Sequence, residues 1–261
     1  GRLNKALREN KIKLNGKKQP LSTRVQNGDT IRLFLSDDQL ESRPTPAAVF
    51  VYEDDDILVV DKPADTPIHP SIGNYENTLA NGIAWYFEQK GEPFVYRCIN
   101  RLDRDTTGLI VLAKHALSAA VLSQAMRSRE IHRTYQAFAL GETAASGTID
   151  APIARLDGSL IQRTVDFASG ERSVTHYRTL AHCSVFSHLE LNLETGRTHQ
   201  IRVHMAYIGH PLLGDTLYNK TPGTFPRQAL HSASLSFVHP ITGEPLNFHA
   251  PLPEDMQNLL T

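Results

Sequence analysis

The stretch NRLDRDTTGLIVLAK, residues 100–114, places a dense group of charged side chains directly before a buried strand. Two carboxylates, two guanidiniums and two hydroxyls fall within residues 101–108, and the apolar run 109–112 follows them. A loop fixed against a strand holds its side chains rigidly, as a catalytic group requires. The residues alone leave two interpretations open here, a catalytic loop and a salt-bridged turn.

The sequence on both sides of this loop predicts many strands and few helices. Apolar runs predict a hairpin from 49–52 and 57–60, and strands over 131–140, 172–180 and 185–193. Helical spacing predicts helices near 79–91, over 116–127 and from Thr198 to Gly209. Because strands and helices do not alternate regularly, the sequence predicts an α+β fold with a mixed, mostly antiparallel sheet and flanking helices.

The N-terminal segment differs from the rest of the chain in its charge. Residues 1–35 carry a net charge of +7, whereas the remainder carries −8. Such an asymmetry suggests a basic nucleic-acid-binding arm, and a solvated basic face is the plainer alternative. The predicted arm residues are Lys5, Arg8, Lys11, Lys13, Lys17 and Lys18.

The local pattern of this segment supports the first interpretation. Apolar residues at helical spacing over 3–7 precede strand-like runs at 12–14 and 30–34, which two Asn-Gly turns adjoin. This order resembles the C-terminal part of an S4-type RNA-binding domain whose first helix is missing. We therefore expect a small S4-like α+β module with its linker over residues 1–40, and a catalytic domain over residues 47–261.

Composition excludes several other classes of protein. The chain has 261 residues, 40% of them hydrophobic, which suffices for a large folded domain. The two cysteines, Cys98 and Cys183, lack metal-type or redox-type spacing, and this predicts a reducing, cytoplasmic location. The longest apolar run, 108–113, is far too short to span a bilayer, so no membrane partner is expected.

Four blocks of sequence carry a resemblance to one family. Residues 100–114 are similar to the signature HRLDxxTSGhhhxAK of the RluA-like family of RNA pseudouridine synthases. Three further blocks, DKPA at 61–64 with His69-Pro70, HRTY at 132–135 and LETGRTHQIRVHMAYIGHPLLGDTLY at 193–218, resemble its other segments in the same order. The departures from the family pattern are Asn100 for His, Thr107 for Ser, Arg133 for Lys and Asp65 for Gly.

The resemblance implies a fold, a reaction and a set of residues. It implies the pseudouridine synthase fold, with Asp103 as the nucleophile that attacks the ribose or the base when the glycosidic bond of a uridine breaks. Tyr135 would pack on the uracil and accept or relay its C5 proton, while Arg202 would pair with Asp103 and hold it ionised. Arg101 would fill the space that the extruded uridine leaves.

The resemblance also implies which molecules take part. Further substrate contacts would come from Arg104, Thr106, Lys62, His69, Arg197, His199 and Gln200. The partner would be RNA, and no cofactor or metal is implied. The S4-like arm favours ribosomal RNA before tRNA as the target, and we separately expect a monomer. Asp105 is expected to be structural.

Two other functions stay open from the residues. Asp103-Arg104-Asp105-Thr106 also resembles the nucleophile motif of haloacid-dehalogenase-type phosphatases, and Gly214-Asp215 resembles their later acidic motif. That interpretation needs an apolar strand before Asp103, but residues 97–102 are mostly polar. The second alternative is a non-catalytic RNA-binding protein.

Metal binding is not expected from the histidines His199, His204, His210 and His231, because His199 and His204 are five residues apart rather than four.

Overall fold

The computed structural model describes residues 12–17, 23–33, 42–44, 48–71 and 75–260. The chain divides into two compact units, Gly1–Leu40 and Glu41–Thr261. The helix predicted over residues 3–7 and the side chains of Lys5, Arg8, Lys11, Lys13 and Lys18 lie outside the described residues, whereas Lys17 is described and exposed.

The first unit contains the two strands that its sequence predicts. β1 (Ile12–Leu14) and β2 (Ile31–Leu33) pair antiparallel, with Ile12 opposite Leu33. The turn after β1 is tied to the chain before β2, because Asn15 Nδ2 donates to Asp29 Oδ1 at 2.7 Å. Asn15 Oδ1 in turn accepts the backbone N–H of Thr30 at 2.9 Å.

The second unit is built on a nine-stranded sheet. Its strands are β3 (Val49–Glu53), β4 (Ile57–Lys62), β5 (Thr107–Ala113), β6 (His132–Leu140), β7 (Ser146–Asp150), β10 (Val174–His182), β11 (Phe186–Leu193), β12 (Leu230–Val238) and β13 (Pro245–His249). Their order is β3-β4-β5-β12-β6-β11-β10-β7, with β13 paired to β12. Every pairing is antiparallel except that of β5 with β12, so the predicted mixed, mostly antiparallel sheet is confirmed. A separate hairpin consists of β8 (Ile153–Arg155) and β9 (Arg163–Val165).

Four helices among the described residues flank this sheet, α1 (Leu79–Lys90), α2 (Ala116–Arg127), α3 (Gln200–Tyr207) and α4 (Glu254–Gln257). Thr78 and Asn81 form a capping box at the start of α1, and Gly91 ends that helix in the left-handed conformation. α3 begins two residues later than the predicted Thr198, because His199 has a φ of 59° and cannot continue a right-handed helix. No helix among the described residues is both long and apolar enough to cross a bilayer.

The core has two large layers, one on each face of the sheet, and a smaller third cluster that is separate from both. Leu58, Ile110 and Leu112 point to the face that α1 and α3 cover. Val59 and Val111 point to the opposite face, which α2 covers. Successive side chains of β4 and β5 alternate between the two layers, so their continuous apolar sequences follow from burial on both sides.

The centre of the sheet depends on a strand that the sequence analysis did not predict. β12 lies between β5 and β6, with Ser232 opposite Gly108. Gly108 has a φ of 110°, and a Cβ there would stand 2.3 Å from the carbonyl oxygen of Ser232. Only glycine permits this close approach, which places β5 and the loop before it against β12.

Candidate active site

The loop before β5 is fixed to the protein through its backbone carbonyls. The carbonyl oxygen of Arg104 accepts hydrogen bonds from Lys62 Nζ at 2.7 Å and from the N–H of Thr66 at 3.1 Å. The next carbonyl, that of Asp105, accepts from Arg227 Nη1 at 3.1 Å. Because two buried basic side chains hold consecutive carbonyls, the Asp103 side chain projects from a rigid platform.

Asp103 belongs to a row of three charged groups of alternating sign. Arg202 Nη1 donates to Asp103 Oδ2 at 2.9 Å, so the two residues pair as the resemblance implies. Arg202 also donates from Nε and Nη2 to the two oxygens of Asp215, at 2.7 and 2.9 Å. Burial opposes the charge of Arg202, but the bonds to Asp215 and the charge of Asp103 outweigh it and raise the guanidinium pKa above its usual value.

Asp215 is the residue of this row that the sequence analysis missed. Its side chain is fully buried, and Oδ1 also accepts the backbone N–H groups of Leu217 and Tyr218 at 3.0 and 3.2 Å. Asp215 therefore neutralises the charge of Arg202 by binding its Nε and Nη2 groups, and Nη1 remains to donate a hydrogen bond to Asp103. The available signal was the buried arginine itself, because a buried charge requires a fully hydrogen-bonded partner.

Tyr135 lies on β6 and is buried at 4% exposure. Burial raises the pKa of its phenol, the charge of Asp103 adds to that effect and the Arg133 guanidinium opposes it. Arg133 lies two residues earlier on the same face of the strand and lines the same cleft. At neutral pH Tyr135 is thus a protonated phenol, suited to stacking and to proton relay rather than to acting as a preformed phenolate.

His199 approaches Asp103 from the start of α3. Its Nδ1 lies 2.7 Å from the hydroxyl of Tyr218, which itself accepts the N–H of Arg163. The hydrogen bond between Nδ1 and the Tyr218 hydroxyl fixes the orientation of the imidazole, whose other nitrogen, Nε2, faces Asp103. Nε2 is 3.9 Å from Asp103 Oδ1. Burial lowers the pKa of His199, so this imidazole is neutral at pH 7.

These side chains line one open cleft of about 710 Å³, which falls in the size range of small-ligand sites. Asp103, Tyr135 and Arg202 all face it, as does His199. Exposed guanidiniums lie along its edge, those of Arg101, Arg127, Arg129 and Arg197. The cleft therefore has the Asp103 carboxylate at its floor and basic side chains at its rim.

Comparisons with known proteins point to one family. Residues 56–207 match the family model described as RNA pseudouridylate synthase. The chain is 42% identical over 276 residues to "Ribosomal large subunit pseudouridine synthase D" of Vibrio cholerae, a match that covers 98% of this chain and 84% of the relative. It is 40% identical over 254 residues to "Uncharacterized RNA pseudouridine synthase YjbO" of Bacillus subtilis, covering 95% and 89% respectively.

The fold gives the same result. The solved structure of Human RNA Pseudouridylate Synthase Domain Containing 1 matches with a TM-score of 0.65 at 25% identity, covering 83% of this chain and 86% of that one. The chain belongs to the RNA pseudouridylate synthase family. It is therefore an isomerase that acts on RNA, and its fold is the pseudouridine synthase fold that the resemblance implied.

Several predicted substrate contacts of the synthase line the cleft. Arg101 and Arg197 are exposed there, whereas Thr106 and Gln200 are 2% and 3% exposed. The side chain of Gln200 is fully engaged with the protein, since it donates to Val174 and Thr175 and accepts from Thr195 and Arg197. Gln200 therefore shapes the loop before α3 rather than presenting a free amide to RNA.

Three other predicted contacts lie elsewhere in the synthase. Lys62 is fully buried, and its Nζ donates to the carbonyls of Pro63 and Arg104, so the prediction that it contacts RNA is wrong. Arg104 pairs with Asp105 at 3.1 Å and lies outside the lining of the cleft. His69 also lies outside that lining, edge-on to the ring of Tyr96.

The family assignment removes the phosphatase alternative, and the ion pairs of Asp105 and Asp215 agree with it. A magnesium-dependent phosphatase needs free carboxylates, but Asp105 is paired with Arg104 and Asp215 is occupied by Arg202. The family assignment also makes the chain an enzyme rather than a non-catalytic RNA-binding protein. The four histidines do not converge: His199, His204, His210 and His231 hydrogen-bond to Tyr218, Thr175, Leu140 and Thr107 respectively.

Proposed function

We propose that this synthase converts specific uridines of ribosomal RNA to pseudouridine, with Asp103 as the nucleophile. The observation that carries the proposal is the Asp103 carboxylate in the cleft, held through one oxygen by an arginine that a second, buried carboxylate already neutralises. The choice of ribosomal RNA is supported by the Vibrio cholerae relative, which is named for the large ribosomal subunit.

The arrangement assigns different tasks to the two carboxylate oxygens of Asp103. Oδ2 is engaged by Arg202, so Oδ1 is the oxygen left to attack. The target uridine leaves its helix and enters the cleft, and exposed Arg101 takes its place in the stack. In attack at the ribose, Oδ1 bonds to C1′ as the C1′–N1 bond breaks, the uracil rotates, and the Oδ1–C1′ bond breaks as the C1′–C5 bond forms. In attack at the uracil, the bond from Oδ1 to the ring likewise breaks again before the product leaves. In both routes C5 loses its proton and N1 gains one.

Tyr135 and Arg202 support this exchange without changing the atom balance. Tyr135 is buried at the cleft wall, where its ring can stack on the uracil while the base turns. Arg202 keeps the carboxylate aimed, and because Asp215 already neutralises the guanidinium, the negative charge of Asp103 remains to stabilise the positive character that the sugar develops. Attack at the ribose and attack at the uracil both start from the same Asp103 oxygen.

The target RNA is tested by mapping pseudouridines across total RNA from cells with and without this gene. We expect one or a few sites in large-subunit ribosomal RNA to disappear with the gene and to return with a plasmid copy. Loss of sites in tRNA alone would replace the ribosomal target with a tRNA target. That the enzyme acts as a monomer, in the cytoplasm, stays a prediction.

We further propose that the first unit, Gly1–Leu40, serves as an S4-like RNA-binding module. Support comes from the net charge of +7 over residues 1–35 and from the β1–β2 pair with its bonded turn. The module would hold RNA through phosphate contacts, while the second unit supplies the chemistry.

A further inference from the structure

Glu194 at the rim of the cleft is the meeting point of three basic side chains. Its Oε2 accepts from Arg129 Nη1 and from Arg172 Nη2, each at 3.0 Å. Its Oε1 lies 3.0 Å from His176 Nε2. Glu194 follows β11, and the three basic residues come from three other segments: the turn after α2, the chain before β10, and β10 itself.

The cluster has more positive than negative charge. Two guanidiniums share a single carboxylate, so the group keeps a net positive charge even when His176 is neutral. All of these side chains are partly open to solvent, with exposures of 54% for Arg129, 53% for Arg172 and 43% for His176. An exposed ion pair of this kind contributes little to stability, so folding gains little from the arrangement.

The position of the cluster connects it to the reaction. Arg129 and Glu194 both line the cleft that contains Asp103. Arg172 is linked to the same cleft, because its carbonyl oxygen accepts a hydrogen bond from Nε of the cleft residue Arg197 at 3.3 Å. An RNA that brings a uridine to Asp103 must enter this cleft, so its backbone can reach the rim that Arg129 and Glu194 line.

We propose that Arg129, Arg172 and His176 form a binding site for one backbone phosphate of the RNA substrate, and that Glu194 occupies this site in the free enzyme. A phosphodiester offers two non-bridging oxygens and one negative charge, as the Glu194 carboxylate does, so it satisfies the same three donors. The phosphate displaces the Glu194 side chain, which lies only partly buried and can turn into solvent. This inference rests on the proposed function only in that the substrate is RNA. It does not depend on which RNA is the target or on Asp103 being the nucleophile.

The displacement of the Glu194 carboxylate by a phosphate affects both the affinity and the selectivity of RNA binding. Phosphate contacts supply sequence-independent affinity, and a carboxylate that must first be displaced weakens it. Glu194 therefore lowers the affinity for every RNA, and only an RNA that makes the remaining contacts of the cleft compensates for it.

The test is the substitution Glu194→Gln, which keeps the shape of the side chain and removes its charge. The matched control is Glu190→Gln, on β11 four residues before Glu194. Glu190 pairs with Arg178 at 3.0 Å and is 30% exposed, against 31% for Glu194, but it lies outside the lining of the cleft. Both proteins are assayed by filter binding to a large-subunit ribosomal RNA transcript and to poly(U) over a range of salt, with thermal unfolding as a check on folding.

We expect Glu194→Gln to lower the Kd for both RNAs by about two- to five-fold, the range of one exposed charge pair, and to steepen the salt dependence. Glu190→Gln should leave the Kd close to that of the wild type. The gain should vanish when Glu194→Gln is combined with Arg129→Gln and Arg172→Gln. Weaker binding by Glu194→Gln would show that the carboxylate only orients the arginines and would overturn the proposal.

Two further outcomes would also overturn it. An equal gain from Glu190→Gln would mean that only the overall charge matters, and a gain that persists without the two arginines would place the phosphate elsewhere. Because poly(U) binding is measured independently of turnover, these results are separate from a failure of the ribosomal target or of Asp103 as nucleophile.

Discussion

Arg202 stands between two carboxylates that are not equivalent. Asp215 is fully buried and receives two of the three hydrogen bonds, whereas the Asp103 side chain is 24% exposed and receives one. We expect Arg202→Met to reduce turnover by orders of magnitude and to destabilise the fold by about 3–5 kcal/mol, because it leaves a buried carboxylate unpaired. Arg202→Lys should restore little of the turnover or the stability, since an ammonium cannot form the two parallel hydrogen bonds that the guanidinium makes to Asp215.

Urea unfolding of double variants separates the two partners. The penalty of Arg202→Met should shrink strongly in an Asp215→Asn background and only slightly in an Asp103→Asn background. The sequence alone predicts Asp103 as the partner, and the structure shifts the main energetic role to Asp215. Equal penalties in the two backgrounds would contradict this division.

Lys62 gives the site a pH signature. Burial lowers the pKa of its ammonium from 10.5 to about 7, with partial compensation by the charges of Asp105 and Asp103. Between pH 7 and 10.5 the unfolded chain then holds a proton that the folded chain lacks, so this residue makes stability rise with pH, by up to about 1.4 kcal/mol per unit. Below pH 7 both states are protonated and the slope from Lys62 disappears.

The comparison of Lys62→Met with wild type tests this signature by urea unfolding at a series of pH values from 6 to 10. We expect the variant to lose the rise in unfolding free energy above pH 7, whereas Lys220→Met, at an exposed lysine, keeps it. The same slope in Lys62→Met and wild type would show that Lys62 stays charged in the folded protein.

Individual residues were predictable from the sequence to different degrees. The pairing of Asp103 with Arg202 was predicted from the family resemblance, and the structure contains it. Lys62 was assigned to the substrate because a motif marks a residue as important without showing which way it points. Asp215 was missed because its hydrogen bonds to Arg202 form only after the chain turns back beyond α3.

The strands around the site depend on one glycine. At Gly108 an added Cβ would meet the backbone of Ser232 at 2.3 Å, and the φ of 110° is itself unfavourable for other residues. We expect Gly108→Ala to lower the unfolding free energy by several kcal/mol and to displace the catalytic loop, which precedes this position.

Gly209→Ala is the matched control for this strand contact, measured by urea unfolding. Gly209 also has a positive φ, 88°, but nothing lies within 4 Å of its added Cβ, so only backbone strain of about 1 kcal/mol is expected. Equal losses in the two variants would mean that the β5–β12 approach does not matter for stability.

The helices and strands were predictable from the sequence where residues close in the chain determine them. The helices α1 and α2 and the β3–β4 hairpin follow from apolar periodicity and capping, and their predicted positions agree with the structure. β12 was not predicted, because its sequence LHSASLSFV contains three serines and its position is set by pairing with β5 and β6, which are distant in the chain. The start of α3 was displaced by the left-handed backbone of His199.

The division of the molecule into two units predicts a division of labour. Deletion of residues 1–40 should weaken RNA binding and flatten its salt dependence, because the most basic segment of the chain is removed. Each lost phosphate contact should reduce the log–log slope by about 0.7–0.9, as measured by filter binding. The remaining unit should unfold as cooperatively as before. Identical slopes with and without residues 1–40 would make the basic arm a solvated face.

Asp103 is the residue on which the account of this enzyme depends, and Asp103→Asn tests it directly because the change removes a charge without altering shape. Purified wild type, Asp103→Asn and Asp105→Asn are incubated with a large-subunit ribosomal RNA transcript in excess EDTA, and pseudouridine is quantified. We predict full turnover by the wild type, substantial turnover by Asp105→Asn, whose carboxylate pairs with Arg104, and none by Asp103→Asn despite normal RNA binding. Measurable pseudouridine from Asp103→Asn would contradict the assignment of the nucleophile.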